Sequence, residues 1–237
     1  YQRLYIVQEA RGDISPMTAK YQFHFYKEQL VPNTKSKPLP VTNRIIYVVS
    51  GTLSVGGKLL EAGDATFESD SVTLKSQSDI VELWRWDLVA FNASEVSSSP
   101  EEHQTTPTLS APIENLEIGP GSEWILRCQT VDFPAETTVE MHAHDGAGIR
   151  CLEFGEINFT HLDGMKNTVK PGDAWYEEAF HYLHALTMKS GPSRFVRVML
   201  VPLEYRETST FKYHTHDDAE KTRQQTTAKL AEGTVAL

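Results

Sequence analysis

The sequence has little cysteine, no long apolar run and no excess of basic residues. Its 237 residues include two cysteines, too few for the disulfide framework of a small secreted domain. No apolar segment approaches the roughly 20 residues that a membrane-spanning helix needs. The formal net charge of −10 offers no basic surface for phosphates. We therefore expect neither a membrane nor a nucleic acid as a partner.

The composition indicates a globular protein with a substantial core. Hydrophobic residues make up 40% of the chain and charged residues 23%. We expect Cys128 and Cys151 to be reduced, buried side chains, and the protein to be cytoplasmic. Segments rich in Val, Ile, Thr and aromatic residues are too short for helices, and Gly and Pro interrupt them. This pattern predicts an all-β fold.

His142 and His144 are separated by one residue in a segment with strand character. Because successive side chains of a strand point to opposite faces, these two imidazoles lie on the same face. A third imidazole from a neighbouring strand could complete a three-nitrogen face for one divalent metal ion. The alternative is an exposed strand that carries two polar histidines.

The residues around this pair resemble the two sequence motifs of the cupin superfamily. His142-Ala143-His144 and Gly155 match the first motif, and Pro171-Gly172-Asp173 with His184 matches the second. The resemblance implies a small antiparallel barrel, the double-stranded β-helix or jelly roll, with a metal ion inside. Carried over position by position, it gives His142, His144 and His184 as the metal ligands.

One position departs from the family pattern. Gly148 stands where these proteins usually have an acidic or amide ligand. The resemblance then implies a three-histidine centre like that of diketone-cleaving and thiol-oxidising dioxygenases. Fe2+ is the first-choice metal, with Zn2+, Mn2+ or Ni2+ as alternatives. Neutral ligands leave the charge of the metal uncompensated, which favours an anionic, chelating substrate.

Three further residues are candidates for catalysis. If Gly148 faces into the barrel, strand alternation turns Arg150 inward as well. Arg150 then binds a substrate carboxylate or enolate, or alternatively pairs with an internal carboxylate such as Glu178. Glu178 and His181 precede His184 and could supply a general base or a fourth ligand. The alternative places both at the solvent-facing rim.

The chain contains an internal repeat. A strand–glycine–strand hairpin followed by a Gly-Asp turn occurs twice, at an offset of roughly a hundred residues. Gly51 of the first copy corresponds to Gly155, and Gly63-Asp64 corresponds to Gly172-Asp173. Together with the cupin resemblance, the repeat predicts two tandem barrels.

The first copy lacks the metal ligands. When the turn glycines are superimposed, Pro38 and Pro40 fall at the places of His142 and His144. Superimposing the Gly-Asp turns puts Lys75 at the place of the third histidine. Proline has no donor atom and lysine repels a cation, so we expect a structural or oligomerising half.

The predicted domains follow from these patterns. A cupin barrel without metal ligands spans 1–91, and a Ser-, Thr-, Pro- and Glu-rich linker spans 92–112. The metal-binding barrel spans 113–205. A polar, partly helical tail spans 206–237, with a helix from Asp217 to Leu230.

The function predicted from the sequence is that of a metal-dependent bicupin. We expect an oxygenase that acts on a small anionic organic substrate in the second barrel. The alternatives are a metal-dependent isomerase or lyase, or a non-catalytic binder of small molecules, because the fold alone does not determine function. We also expect a homodimer.

Overall fold

The computed structural model describes residues 20–95, 102–187 and 191–237. The strands formed by residues 21–112 are β1 (Tyr21–Leu30), β2 (Asn43–Ser50), β3 (Thr52–Val55), β4 (Lys58–Glu61), β5 (Ala65–Glu68), β6 (Leu74–Ser76), β7 (Val81–Ala90) and β8 (His103–Pro112). Those formed by residues 123–236 are β9 (Glu123–Phe133), β10 (Thr138–His144), β11 (Ala147–Phe154), β12 (Ile157–His161), β13 (Lys166–Val169), β14 (Ala174–Glu177), β15 (Leu183–Thr187), β16 (Ser193–Pro202), β17 (Phe211–Tyr213) and β18 (Thr226–Ala236). A 3-10 turn (Leu203–Tyr205) and the helix α1 (His216–Ala219) complete the described elements.

Two barrels are formed, as the sequence predicts. The first barrel pairs a five-stranded sheet, β5-β2-β7-β1-β8, with a three-stranded sheet, β4-β3-β6. The second pairs β14-β11-β16-β9-β18 with β13-β12-β15-β10-β17. The sheets β5-β2-β7-β1-β8 and β14-β11-β16-β9-β18 place corresponding strands of the two copies in the same order, which confirms the internal repeat. The turn residues Gly51 and Gly155 both adopt left-handed backbone conformations, with φ of 81° and 88°.

Hydrophobic side chains fill three spaces. One cluster lies between the two sheets of the first barrel and another between the two sheets of the second. The largest lies between the five-stranded sheets that contain β1 and β9, and it joins the two barrels. Both faces of these sheets are therefore covered, and their central strands are almost fully buried.

The alternation predicted for β11 is confirmed over most of the strand. Arg150 and Leu152 face the interior of the second barrel, whereas Ile149 and Cys151 enter the core between the barrels. Phe154, which the alternation turns inward, is 39% exposed instead. A register shift in the pairing of β11 with β16, immediately before Phe154, accounts for the difference.

The predicted linker, 92–112, is wrong over its second half. Its residues 96–101, like residues 1–19 of the predicted first barrel, lie outside the described residues. The strand β8 pairs with β1 along its whole length. Thr105 and Ala111 are buried, while most of the remaining side chains are polar and partly or fully exposed. Because β8 is an edge strand with one solvent-exposed face, its composition resembles that of a linker, although its backbone is hydrogen-bonded to β1.

The predicted tail helix is wrong over most of its length. Helix α1 has four residues, and Thr215 is its N-cap. Residues from Thr226 onward form β18, which pairs with β9 as β8 pairs with β1. Tertiary pairing overrides helix propensity here. The described ranges include no helix with the length and hydrophobicity of a membrane span.

Candidate functional site

His142 and His144 lie side by side on β10 and line the interior of the second barrel. Both are 6% exposed, and their ring centroids are 5.5 Å apart with the rings perpendicular. The ring of Phe211 stacks on His142 at 4.3 Å. Strand alternation thus brings the two imidazoles to one face, as the sequence predicts.

The hydrogen bonds of the two imidazoles fix their tautomers. His142 Nδ1 lies 2.7 Å from the carbonyl oxygen of Glu140, which only accepts, so this nitrogen donates. His144 Nε2 accepts from the guanidinium of Arg197 at 3.3 Å, and its Nδ1 lies 3.1 Å from Thr210 Oγ1. Burial lowers the pKa of His142 to about 4 and holds the pKa of His144 well below its usual range. Both rings are therefore neutral at pH 7.

His184 does not join them, which corrects the predicted three-histidine centre. Its neighbours in β15, Leu183 and Ala185, are buried and line the barrel interior. Alternation places His184 on the outer face of the strand. Among the described residues, no group of three or more His, Cys, Asp or Glu side chains is arranged to hold a metal ion.

The internal position belongs to Leu183, which pairs with His142 across β10 and β15. The first barrel shows the same pattern. Leu74, at the same distance from its Gly-Asp turn, is buried, and Lys75 after it is exposed. A comparison of the two copies by burial pattern, rather than by histidine position, is the signal that would have identified Leu183.

Glu178 and His181 also lie outside the barrel interior. Glu178 is exposed and accepts a hydrogen bond from Asn115 Nδ2 at 2.7 Å. His181 is exposed, and its Nε2 lies 2.9 Å from Nδ1 of His161. Neither touches the cavity, so neither can act as a base or a fourth ligand there. The solvent-facing alternative is the correct one for both.

Arg150 points inward as predicted, but its partner is Glu177. Its Nη2 lies 2.8 Å from Glu177 Oε2, and Trp175 Nε1 donates to Glu177 Oε1 at 2.8 Å. The sequence reasoning missed Glu177, although Glu68 stands at the same place in the first copy. The fully buried Arg150 thus forms an internal ion pair with Glu177 and is not free to bind a substrate.

The second barrel encloses a cavity of about 410 Å³. Its lining contains more cationic than acidic side chains: Arg127, Arg197, Arg206, Arg223 and Lys229 against Glu177 and Glu207. Seven apolar side chains complete one part of the lining: Val131, Phe133, Val139, Phe159, Leu183, Ala185 and Phe195. This combination suits an organic anion better than a metal ion.

Most of the lining cations already have partners. Glu232 lies within 4 Å of Arg127, Arg206 and Lys229, at 2.6, 3.5 and 3.6 Å. The guanidinium of Arg223 stacks on the Phe211 ring at 3.7 Å.

Arg197 and Arg223 are the lining cations without an ion-pair partner among the described residues, and Arg197 is the one that contacts His144. Its Nε donates to Gln129 Oε1 at 3.0 Å and its Nη1 to His144, but no carboxylate of the described residues forms an ion pair with it. Burial, together with the nearby Arg150, lowers the pKa of Arg197 to about 9. The side chain is therefore cationic at pH 7, and the nearby Glu177, whose charge raises the pKa of Arg197, is paired with Arg150 instead.

Arg85 occupies the same place in the first barrel. Arg85 of β7 pairs with Tyr26 of β1 as Arg197 of β16 pairs with Gln129 of β9. The two strands hold equivalent positions in sheets of the same order. The two arginines are therefore structural equivalents.

Their surroundings differ in charge. Two carboxylates hold Arg85: Glu28, at 2.5 Å from its Nε, and Asp87 at its Nη1. At the same offsets along β9 and β16, the second barrel has Val131 and Met199. The second barrel has retained the arginine, here partly exposed, and lacks both of these counterions.

The residues present do not fit a resident divalent metal ion. Two imidazoles converge, but one of them already accepts a hydrogen bond from a guanidinium, and both oxygens of Glu177 are engaged. A side chain at Gly148 would place its Cβ 2.0 Å from the carbonyl oxygen of Val198, so no ligand can project from there. No step is assigned to a metal.

Solved structures identify the fold. No family model matches the sequence, and no curated protein matches it either. The oxalate decarboxylase of Lactobacillus farciminis, in complex with formate, has a TM-score of 0.58 at 10% identity, covering 84% of this chain and 80% of that one. A deletion mutant of Bacillus subtilis oxalate decarboxylase has a TM-score of 0.55 at 11% identity, covering 87% and 74%. The chain has the bicupin fold.

A third structure, AerE from Microcystis aeruginosa, has a TM-score of 0.53 at 13% identity, covering 76% of this bicupin and 88% of that chain. At these identities the likeness establishes the fold alone. One related structure concerns the Mn(II) centres of the Bacillus subtilis enzyme. In the present bicupin, the interior of the second barrel holds a guanidinium beside two imidazoles.

Proposed function

We propose that the second barrel binds a small organic anion through Arg197, with the guanidinium in place of the metal ion that the sequence predicts. His144 and Gln129 orient the guanidinium, and the ligand supplies the carboxylate that pairs with it. The observation that carries this proposal is the pair Arg85 and Arg197. The same arginine is neutralised by the protein in one barrel and left open to a cavity in the other.

Energetics support a ligand at this place. Arg197 is partly buried, and a charge that loses water without gaining an ion-pair partner costs up to about several kcal/mol, because the protein interior solvates it poorly. The fork of N–H donors of an arginine matches a carboxylate in geometry and charge. An anion that enters the cavity therefore replaces the water lost by Arg197 and restores the arrangement that Glu28 and Asp87 give Arg85.

Calorimetric titration of EDTA-treated protein tests the proposal. The probes are carboxylates from acetate and oxalate to 4-phenylbutanoate. We expect at least one to bind, and Arg197→Met to weaken its affinity by about tenfold or more, the value of a charge-assisted hydrogen bond. Arg194→Met, on the same strand but paired with Asp132 at the surface, is the matched control. Binding by no probe, or an unchanged affinity in Arg197→Met, would refute the proposal.

A second variant gives the second barrel a carboxylate at the position that Glu28 occupies in the first. Val131 stands where Glu28 stands, so Val131→Glu supplies Arg197 with an internal counterion. We expect this variant to fold and to lose anion binding, because the new carboxylate competes for the same donors. If Val131→Glu folded and bound the anion as well as wild type does, Arg197 would not be the anion site.

The competing reading is the metal-dependent enzyme predicted from the sequence. The oxalate decarboxylase structures favour it, since one of them concerns Mn(II) centres. It requires stoichiometric Fe, Mn, Zn or Ni in the purified protein, lost in His142→Ala and His144→Ala. Oxygen uptake by the iron-loaded protein would specifically support the oxygenase. His184→Ala should leave any bound metal unchanged, because that ring faces outward.

The expected homodimer and cytoplasmic location stay predictions. Light scattering coupled to size-exclusion chromatography would measure the first, and fractionation of cells the second.

A further inference from the structure

We infer that the ligand is a monocarboxylate with an apolar body, bound with its carboxylate at Arg197 and its body among the phenylalanines of the barrel. The inference rests on the proposed function and names the chemical class of its ligand. It follows from the separation of the cavity lining into a polar and an apolar layer.

The two layers follow from strand register. Along β9 the inward residues run from Arg127 and Gln129 to Val131 and Phe133. On the neighbouring β16, Arg197 pairs with Gln129 and Phe195 pairs with Val131. On both strands, the lining therefore changes from polar to apolar side chains between one inward-facing residue and the next.

The opposite sheet changes at the same level. In β10, His142 and His144 belong to the polar layer, whereas Val139 faces the apolar one. The partners in β15 are Leu183 beside His142 and Ala185 beside Val139. The boundary between the layers thus continues across the barrel. Leu183 is an apolar side chain that lies beside His142, at the level of the polar layer.

Aromatic rings form much of the apolar layer. Phe133 and Phe195 lie 5.4 Å apart, and Trp175 contacts Phe195 and Phe159 at 5.4 and 5.3 Å between ring centroids. The apolar lining residues carry no side-chain hydrogen-bond donor. A second carboxylate placed there would lose its hydration without a partner, at a cost of several kcal/mol by order of magnitude. The cavity therefore disfavours a dicarboxylate that spans both layers.

The spacing sets the length of the ligand. One inward step along a strand covers two residues, or about 6.8 Å. A carboxylate on Arg197 therefore needs an apolar group roughly 5 to 7 Å away to reach the layer of Phe195, a distance that follows from the same strand rise. A phenyl ring separated from the carboxylate by two or three methylene groups meets this requirement.

A ligand series on the wild-type protein tests the inference. We expect the affinity to rise about fourfold per methylene group from propanoate to hexanoate. 3-Phenylpropanoate should bind at least tenfold tighter than acetate and oxalate, and 3-phenylpropan-1-ol, which lacks the carboxylate, should bind at least tenfold weaker than the acid. If acetate or oxalate bound as tightly as 3-phenylpropanoate, the inference would fail while anion binding stood. Binding by no carboxylate would overturn both.

The variant Ala185→Phe separates the two layers within one protein. The new ring fills the apolar layer and leaves Arg197 untouched, so 3-phenylpropanoate should weaken at least tenfold. Acetate affinity, measured on the same variant, should stay within twofold and serves as the internal control. Equal losses for both ligands, or no loss for either, would contradict the layered site. The wild-type series decides the matter even if the variant folds poorly.

Discussion

The hydroxyl group of Tyr47, in the first barrel, donates a hydrogen bond to Oε1 of Glu153, in the second, at 2.7 Å. The contact lies at the junction of the two barrels. The other carboxylate oxygen of Glu153 is buried and has no hydrogen-bond partner among the described residues. That oxygen lies 3.7 Å from Nη1 of Arg194, so Arg194 supplies an opposite charge and Tyr47 supplies the hydrogen bond to Glu153.

Tyr47→Phe should lower the free energy of unfolding by about 1 to 3 kcal/mol, because it leaves a buried carboxylate oxygen unsatisfied. Urea denaturation followed by tryptophan fluorescence measures the change. Tyr176→Phe removes a hydroxyl from a half-buried tyrosine that packs against the same inter-barrel core, and it should change the stability by less than about 0.5 kcal/mol. Equal effects of the two variants would show that the hydrogen bond to Glu153 contributes nothing.

Gly233 on β18 faces the ring of Phe67 from the first barrel. A Cβ at this position would lie 2.2 Å from the ring, so Gly233→Ala should force the ring to move. We expect a loss of roughly 1 to 3 kcal/mol from overpacking. In the double variant Gly233→Ala/Phe67→Leu the smaller side chain makes room, so the two changes should cost less together than the sum of their separate costs. Strictly additive costs would contradict the contact.

The Arg150–Glu177 pair should behave as a buried ion pair. Glu177→Gln leaves the fully buried Arg150 without a counterion and should cost about 3 to 5 kcal/mol. Replacing both residues, as Arg150→Met/Glu177→Gln, should restore part of that stability. Denaturation of Arg150→Met, Glu177→Gln and the double variant in parallel measures the coupling. A double variant less stable than Glu177→Gln would exclude this role.

The carboxylate of Glu28 should make stability depend on acid pH. Burial alone would raise its pKa, but hydrogen bonds with His103 and Arg85 lower it overall, below the ordinary 4.5. A lowered pKa means that the charged form stabilises the fold above about 4.5 and that this contribution is lost as the pH falls through the folded value. The stability difference between wild type and Glu28→Gln should be largest at pH 7 and shrink below pH 4.5. A difference that stays constant to pH 3 would count against it.

The sequence predicted the two barrels and the inward pair His142 and His144, because both follow from local patterns. It could not show which residue of β15 faces the barrel interior beside this pair. The sequence between the Gly-Asp turn and β15 does not show which face each residue of that strand presents, and a shift of one residue exchanges the two faces. A one-residue difference exchanged Leu183 for His184.

The two misread segments have a different cause. β8 and β18 are edge strands with polar outer faces, and long-range pairing with β1 and β9 holds them in place. Local propensity does not contain that information. Glu177 and Arg197 could not be identified from the sequence for a related reason. The strand register decides that Glu177 lies beside Arg150 and that Arg197 lies beside Gln129.

Glu28 and Asp87 have one further consequence. They place carboxylate oxygens around Arg85 at positions that the chain itself encodes. Superimposed on Arg197, these oxygens mark where the oxygens of a bound acid would sit. If the proposed anion binds, the side chains of the first barrel show how the ligand oxygens would be arranged, and they offer a template for designing ligands of the second barrel.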